Sequence, residues 1–187
     1  MHVEVNGLHL DVGESLRTHV SDSLEDIKEK YFDHISNATV FFSKERHLFK
    51  VDIHMNVGRG ILLKSSAEGA DAYPAFDGAV TRLGKRLRKY KSKLRDHQNE
   101  NVATAVQMLA QERTIDAKQE EVEEASSEPL VIADMQTVIE DLTVSDAVMR
   151  LELGDLPALM FKNKADGAFN MIYRRADGNI GWVNPQD

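Results

Sequence analysis

Between residues 72 and 97 the chain reads AYPAFDGAVTRLGKRLRKYKSKLRDH. Its apolar residues Phe76, Val80, Leu83, Leu87, Tyr90 and Leu94 are spaced by alternate steps of four and three, which places them in one stripe on an α-helix. Such a stripe must be buried, so the segment demands a sheet or a second helix to pack against. The same segment concentrates charge. From Arg82 to Arg95, eight of fourteen residues are Lys or Arg and none is acidic. At about 100° per residue, Arg82, Lys85, Arg86, Lys89 and Lys93 fall on one flank of the stripe, and Arg88, Lys91 and Arg95 on the other. A buried stripe with a row of cations beside it suits a phosphate backbone; a merely solvated basic face is the competing reading.

The overall charge of −8 conceals this row. Residues 1–100 hold 16 basic and 15 acidic residues, residues 101–132 hold 2 and 7, and residues 133–187 hold 5 and 9. Local potential, rather than the total, governs the capture of an anionic partner. The 187 residues leave room for one or two domains. The absence of cysteine excludes disulfides, thiolate nucleophiles and Cys-based metal sites. The N-terminus MHVEVNGLHL lacks the pattern of a secretory signal, and no unbroken apolar run exceeds four residues, as at Ala158 to Phe161. A cytoplasmic protein is expected.

Before the basic helix, His2 to Asn6 alternates as a short strand closed by Asn6-Gly7, and Glu14 to Tyr31 carries Leu16, Val20, Leu24, Ile27 and Tyr31 at helical spacing. Ala38 to Ser43, Leu48 to Val57 and Ile61 to Ala67 read as strands, the last two joined by Gly58-Arg59-Gly60. In the middle one, Val51, Ile53, Met55 and Val57 alternate with Asp52, His54 and Asn56, which gives it one wet face where His54 is solvated. The order β-α-β-β-β-α predicts an α+β domain over residues 1–98, with two helices on one face of a four-stranded sheet. This order resembles the double-stranded-RNA-binding fold at the level of topology, and differs from the RNA-recognition motif.

Residues 99–129 are acidic and polar, ending in EEVEEASSEP, and are expected to form a flexible acidic linker. From residue 130 a small β-α-β-β-β module is expected to run to residue 187. Leu130 to Gln136 is its first strand, and Thr143 to Asp146 is a helix start. Ala158 to Lys162, Ala168 to Arg175 and Asn179 to Val183 follow as strands, with turns at Ala165-Asp166-Gly167 and Asp177-Gly178-Asn179. Alternation suggests that Leu159, Phe161, Phe169, Met171, Tyr173, Ile180 and Trp182 share one sheet face, with Ala158, Met160, Ile172 and Val183 on the other. One short helix covers a single face, so the other calls for a partner, most simply a second copy of the module. Cover by the linker or the first domain is the alternative.

Catalytic and cofactor patterns are missing. The seven histidines form no metal-binding pair, and no phosphate-cradling or nucleophile-bearing glycine motif occurs. Neither an enzyme nor a cofactor or metal site is expected.

Three stretches carry a resemblance to a known family. VGESLRTHVSDSLEDIKEKYF looks like the first helix, and ADAYPAFDGAVTRLGKRLRKYKSKL like the second, of the long-form bacterial ribosome hibernation-promoting factors. DLTVSDAVMRLEL followed by FKNKADGAFNMIYRRADGNIGWVNP is similar to that family's C-terminal module. The resemblance implies an N-terminal domain that binds small-subunit rRNA in the channel for mRNA and tRNA and blocks translation. It also implies a C-terminal module that homodimerises and pairs ribosomes into inactive dimers in stationary phase or starvation. On this sequence the RNA-binding role then falls on Arg82, Lys85, Arg86, Arg88, Lys89, Lys91 and Lys93, with Lys28 and Lys30 at the end of the first helix. Phe161, Met171, Tyr173 and Ile180 become the expected dimer anchors. Ala158 and Leu159 stand where the family commonly has aromatic residues, and Trp182 replaces a smaller aliphatic. The residues alone leave two other readings open: a protein-binding adaptor, and a membrane-surface protein using the basic helix.

Overall fold

The computed structural model describes residues 1–8, 10–31, 35–57, 61–99, 107–115 and 131–185. Strand β1 (His2–Leu8) leads into helix α1 (Glu14–Tyr31). Strands β2 (Ile35–Glu45), β3 (Leu48–Val57) and β4 (Ile61–Gly69) follow, and helix α2 (Ala72–Asn99) closes the N-terminal domain. The strands lie in the order β1-β2-β3-β4; β1 runs parallel to β2 and the remaining pairs are antiparallel. This is the expected β-α-β-β-β-α arrangement. The expected turn at residues 58–60 lies outside the described residues.

Period-two burial explains why both helices lie on one side. Val40, Phe42, Val51, Ile53, Met55, Leu63 and Ala67 point into the core, where Leu16, Val20, Leu24 and Ile27 of α1 and Phe76, Leu83 and Leu87 of α2 meet them. Small residues bring α2 close to the sheet. A Cβ on Gly69 would stand 3.0 Å from the Ala75 backbone nitrogen, and one on Gly78 would stand 3.4 Å from the Ala67 methyl. On the opposite face His54 is not simply solvated. It is half-buried with its ring 5.6 Å from that of Phe41 in an edge-on pair, and that burial, with Lys64 nearby, lowers its pKa.

The second sheet has the order β5-β6-β7-β8-β9. Its strands are β5 (Gln107–Ile115), β6 (Val131–Leu142), β7 (Ala158–Asn163), β8 (Phe169–Arg174) and β9 (Ile180–Val183), with helix α3 (Val144–Leu153) between β6 and β7. Strand β5 corrects the expectation of a structureless linker over 99–129. Residues 107–115 pair antiparallel with β6 along its length, because a long strand with an open edge offers unpaired backbone groups that a neighbouring segment can satisfy. The rest of that linker, residues 100–106 and 116–129, lies outside the described residues. Thr143 caps α3 as expected, its side chain accepting from the Asp146 amide. At the other end Gly154 keeps right-handed backbone, and Asp155 takes the left-handed conformation with φ 51°.

The register of β7, β8 and β9 separates the expected sheet face into two. Leu159 pairs with Ile172 and Phe161 with Asn170, while Met160 pairs with Met171 and Ala158 with Tyr173. Odd residues of β7 therefore share a face with even residues of β8. Phe161 and Ile172 are fully buried under α3, with Leu159 and Ile180 packed beside them. Phe169, Met171 and Tyr173 lie on the other face with Met160 and Val183.

Candidate functional site

Helix α2 carries its cations on two flanks with different surroundings. On the first, Arg82 and Arg86 reach across the edge of the N-terminal sheet, donating from Nη1 to the Ser66 carbonyl at 2.7 Å and the Lys64 carbonyl at 2.8 Å. These bonds fix the guanidinium stems along β4. Lys85, between them in sequence, is exposed.

The C-terminal module meets this flank. Arg86 Nη2 donates to Asp155 Oδ1 at 2.7 Å. Lys89 Nζ donates to both oxygens of Glu152 at 2.8 and 2.7 Å. The Tyr90 hydroxyl donates to Glu152 Oε2 at 2.6 Å. Lys93 Nζ lies 3.4 Å from Asp146 Oδ1 and also meets the Ser145 hydroxyl. This geometry sets the direction in which each group is shifted. The hydrogen bond to Glu152 raises the pKa of Lys89 against the opposing effect of burial. Burial pushes Glu152 up, but hydrogen bonds from Lys89 and Tyr90 and the charges of Lys89 and Arg174 outweigh it and hold the carboxyl below its ordinary value. Burial, then the bond to Glu152, raises the Tyr90 phenol.

On the second flank, Lys91 donates to the Lys30 carbonyl at 3.3 Å. Its ammonium and that of Lys30 lie 5.6 and 5.8 Å from the Tyr31 ring centroid. Lys30 therefore joins Lys91 across the α1–α2 seam, with Arg88 exposed on the same helix. Lys28 is paired within its own helix, 2.5 Å from Glu25; the Glu25 hydrogen bond raises the lysine and lowers the carboxyl. Of the predicted cations, Arg86, Lys89 and Lys93 meet carboxylates of the C-terminal module, Lys91 and Lys30 meet at the seam with α1, and Arg82, Lys85, Arg88 and Lys28 belong to neither set.

The expected dimer anchors do not share a surface. Phe161 is fully buried, and Ile180 packs on the same α3-covered face. Phe161 is corrected from surface anchor to core residue, because its pairing with Asn170 turns its ring under the helix. Met171 and Tyr173 lie on the open face, where Met160, Phe169, Met171 and Val183 are 51%, 38%, 39% and 45% exposed. The Tyr173 ring covers Gly181, where a Cβ would come within 2.4 Å of it. Sequence reasoning set Phe169 with Met171 and Tyr173 but placed Met160 and Val183 on the opposite face, where the register now joins all five; it missed Asp146, Glu152 and Asp155 as partners of α2. Alternation within each run assigns the face once the pairing parity is known; no local signal marks the carboxylates.

Among the described residues, no group of three or more His, Cys, Asp or Glu side chains could hold a metal ion, and no helix is long and apolar enough to cross a membrane.

Comparison with known proteins accounts for both halves of the chain. Residues 3–95 match the family model of the sigma 54 modulation protein / S30EA ribosomal protein, and residues 126–181 match the model of its C terminus. The ribosome hibernation promotion factor of Bradyrhizobium diazoefficiens is 38% identical over 99% of this chain and 95% of its own length. That of Bacillus subtilis is 26% identical over the full length of both. The Escherichia coli ribosome hibernation promoting factor is 33% identical over 52% of this chain, which is the whole of that protein. A solved ribosomal subunit interface protein from Coxiella burnetii is 26% identical, covering 49% of this chain and 99% of its own, with a TM-score of 0.44. With both family models matched and full-length relatives 38% and 34% identical, the chain belongs to the long-form ribosome hibernation factors, a family of ribosome-associated proteins and not of enzymes.

Proposed function

We propose that this protein is a cytoplasmic hibernation factor whose N-terminal domain binds small-subunit rRNA in the channel used by mRNA and tRNA, blocking translation by occupancy. The observation that carries the reading is the acid-free run of eight Lys and Arg residues between Arg82 and Arg95 of α2. A rigid helix holds such cations at a fixed spacing, and phosphate contact by Lys and Arg releases counterions from the nucleic acid. Lys85 and Arg88, both exposed, make the first contacts. Arg82, Arg86, Lys89, Lys91 and Lys93 extend the surface along the helix. Lys30 adds to it across the seam, and Lys28 contributes least because Glu25 holds it.

The C-terminal module self-associates through the open face of its sheet, with Met160, Phe169, Met171, Tyr173 and Val183 as the contact residues. An exposed apolar face of this kind favours association with an identical copy about a two-fold axis. Two tethered N-terminal domains then hold two ribosomes together without further chemistry.

The test is co-sedimentation of the full chain with purified small subunits. Lys85→Glu with Arg88→Glu should abolish binding at moderate salt, and the wild type should show a log–log salt slope of about −0.7 for each single-stranded phosphate contact. Binding by the double variant equal to wild type, or a flat salt dependence, would reject α2 as the RNA surface and favour a protein-binding adaptor.

A further inference from the structure

Helix α3 is apolar on two opposite sides. Ala147 and Leu151 pack into the small core of their own module, with Phe161 and Ile172. Met149 and Leu153, about half a turn away, are fully buried in the core of the N-terminal domain instead. The helix is thus wedged between the two units, against α2 and β4. Along this seam the ion pairs form a ladder. Arg86, Lys89 and Lys93 ascend α2 while Asp155, Glu152 and Asp146 descend the α3 region, at 2.7, 2.7 and 3.4 Å. The two helices therefore pass in opposite directions, with cations facing carboxylates along the contact. Arg174 also reaches Asp155, at 3.4 Å, and holds that carboxylate in place from β8.

These carboxylates occupy ammonium and guanidinium groups that would otherwise meet phosphate oxygens, which they resemble as charged acceptors. We infer that the C-terminal module is an intramolecular cap on the basic flank of α2, and that a nucleic-acid backbone must displace Asp146, Glu152 and Asp155 to seat fully on that helix. The inference rests on the proposal that α2 is the RNA surface. Lys85 and Arg88 stay exposed in the capped state, so encounter with a polyanion begins there. Phosphates then exchange for carboxylates along the ladder, and the module swings away with its open sheet face available to a second copy. The free protein is held capped by Met149 and Leu153 as well as by charge, so bare chains resist casual binding to other polyanions. Apparent affinity is reduced by the fraction of molecules that is uncapped.

The full chain provides the test, and its lack of cysteine permits clean labelling. Glu152→Gln with Asp155→Asn should tighten binding to purified small subunits about fivefold, since it raises the uncapped fraction. Glu112→Gln with Asp134→Asn makes the same charge change on β5 and β6, away from the contact, and should leave affinity unchanged. Spin labels at Thr81→Cys on α2 and Ala176→Cys in the β8–β9 turn should give one short distance in the free chain and a longer one with small subunits bound. Equal tightening by the two carboxylate pairs would overturn the cap, and so would a label distance that bound subunits leave unchanged. If Lys85→Glu with Arg88→Glu weakens binding but Glu152→Gln with Asp155→Asn does not tighten it, the cap alone falls. If the first pair has no effect, the RNA reading of α2 falls and the cap falls with it.

Discussion

The two halves of this chain solve the problem of burial differently. The N-terminal domain encloses its own core: two amphipathic helices cover one face of a four-stranded sheet, and Phe42, Phe76, Leu24, Ile53, Leu83 and Leu87 are fully buried within it. Among the described residues, the C-terminal module buries five apolar side chains in a core of its own, places Met149 and Leu153 in its neighbour's, and leaves one sheet face open. A unit of that size encloses too little apolar surface to stand alone comfortably. The contrast teaches that self-sufficiency and availability trade against each other. The half that closes its core presents charge to the outside, whereas the half that does not presents apolar surface.

The sharpest way to break this comparison is through the N-terminal core. Phe76→Ala removes a fully buried ring that faces Phe42 at 6.2 Å between centroids. The loss of transfer energy and the cavity together should cost about 3–5 kcal/mol. Thermal melting of the full chain should fall by well over ten degrees, and ribosome binding at 37 °C should be lost. A shift of only a few degrees would mean that the N-terminal core is not the principal source of stability.

Leu153→Ala comes next, with an expected cost of about 2–3 kcal/mol, but its consequence differs in kind. The side chain belongs to one unit and is buried in the other's core, so the substitution should separate one cooperative melting transition into two. Retention of a single transition, merely displaced, would show that the units remain coupled through the ion-pair ladder alone.

The outcome bears on what the residues disclosed before the fold was known. Helices α1 and α2 and the order of the first four strands follow from local periodicity, since each of those elements has one wet and one dry side. The cations of α2 were visible for the same reason: a run of like charge is a local property. Strand β5 was hidden, because its pairing partner β6 lies beyond the acidic segment and the pairing depends on an edge distant in sequence. The two faces of the second sheet were hidden by parity. The connection from Asn163 to Ala168, closed by backbone hydrogen bonds from the Asn163 and Gly167 amides at 2.8 and 2.7 Å, sets Phe161 opposite Asn170, and a one-residue slip would have exchanged the faces. Asp146, Glu152 and Asp155 look like ordinary solvated acids until α2 is placed against them, so the ladder was beyond any local reading.

A third substitution sharpens the claim about the open face. Met160→Asp with Met171→Asp changes two half-exposed side chains that pair across β7 and β8. Monomer stability should move by about 0.5–1 kcal/mol, as exposed positions tolerate polar groups with a small penalty for two adjacent like charges. Self-association should weaken by at least tenfold, read by sedimentation velocity over a concentration series, while binding of single small subunits persists. Undiminished self-association would move the contact elsewhere, with the exposed residues Leu109, Ile132 and Met135 of the β5–β6 hairpin as the next surface to test.

The smallest expected effect is the dependence of the interdomain contact on pH. Glu152 is held below its ordinary value of 4.5 in the folded chain, so its contribution is present above that value and is lost as pH falls through the lower, folded value. Lys89 is raised above 10.5, so its contribution is complete below 10.5 and is lost as pH rises through the folded value. Between these limits the contact should be insensitive to pH. The groups facing this pair are Tyr90, Arg86 and Lys93 on α2, Asp146 and Asp155 around α3, and Arg174 on β8. Lys89 is largely exposed, so solvent screens the pair and the transition should be shallow. Label distances between Thr81→Cys and Ala176→Cys, measured from pH 7 to pH 3.5, should begin to lengthen only below about 4.5, consistent with carboxylate titration. Glu152→Gln in the same labelled chain should flatten that onset; an unaltered onset would show that the acid sensitivity of the contact does not arise from Glu152.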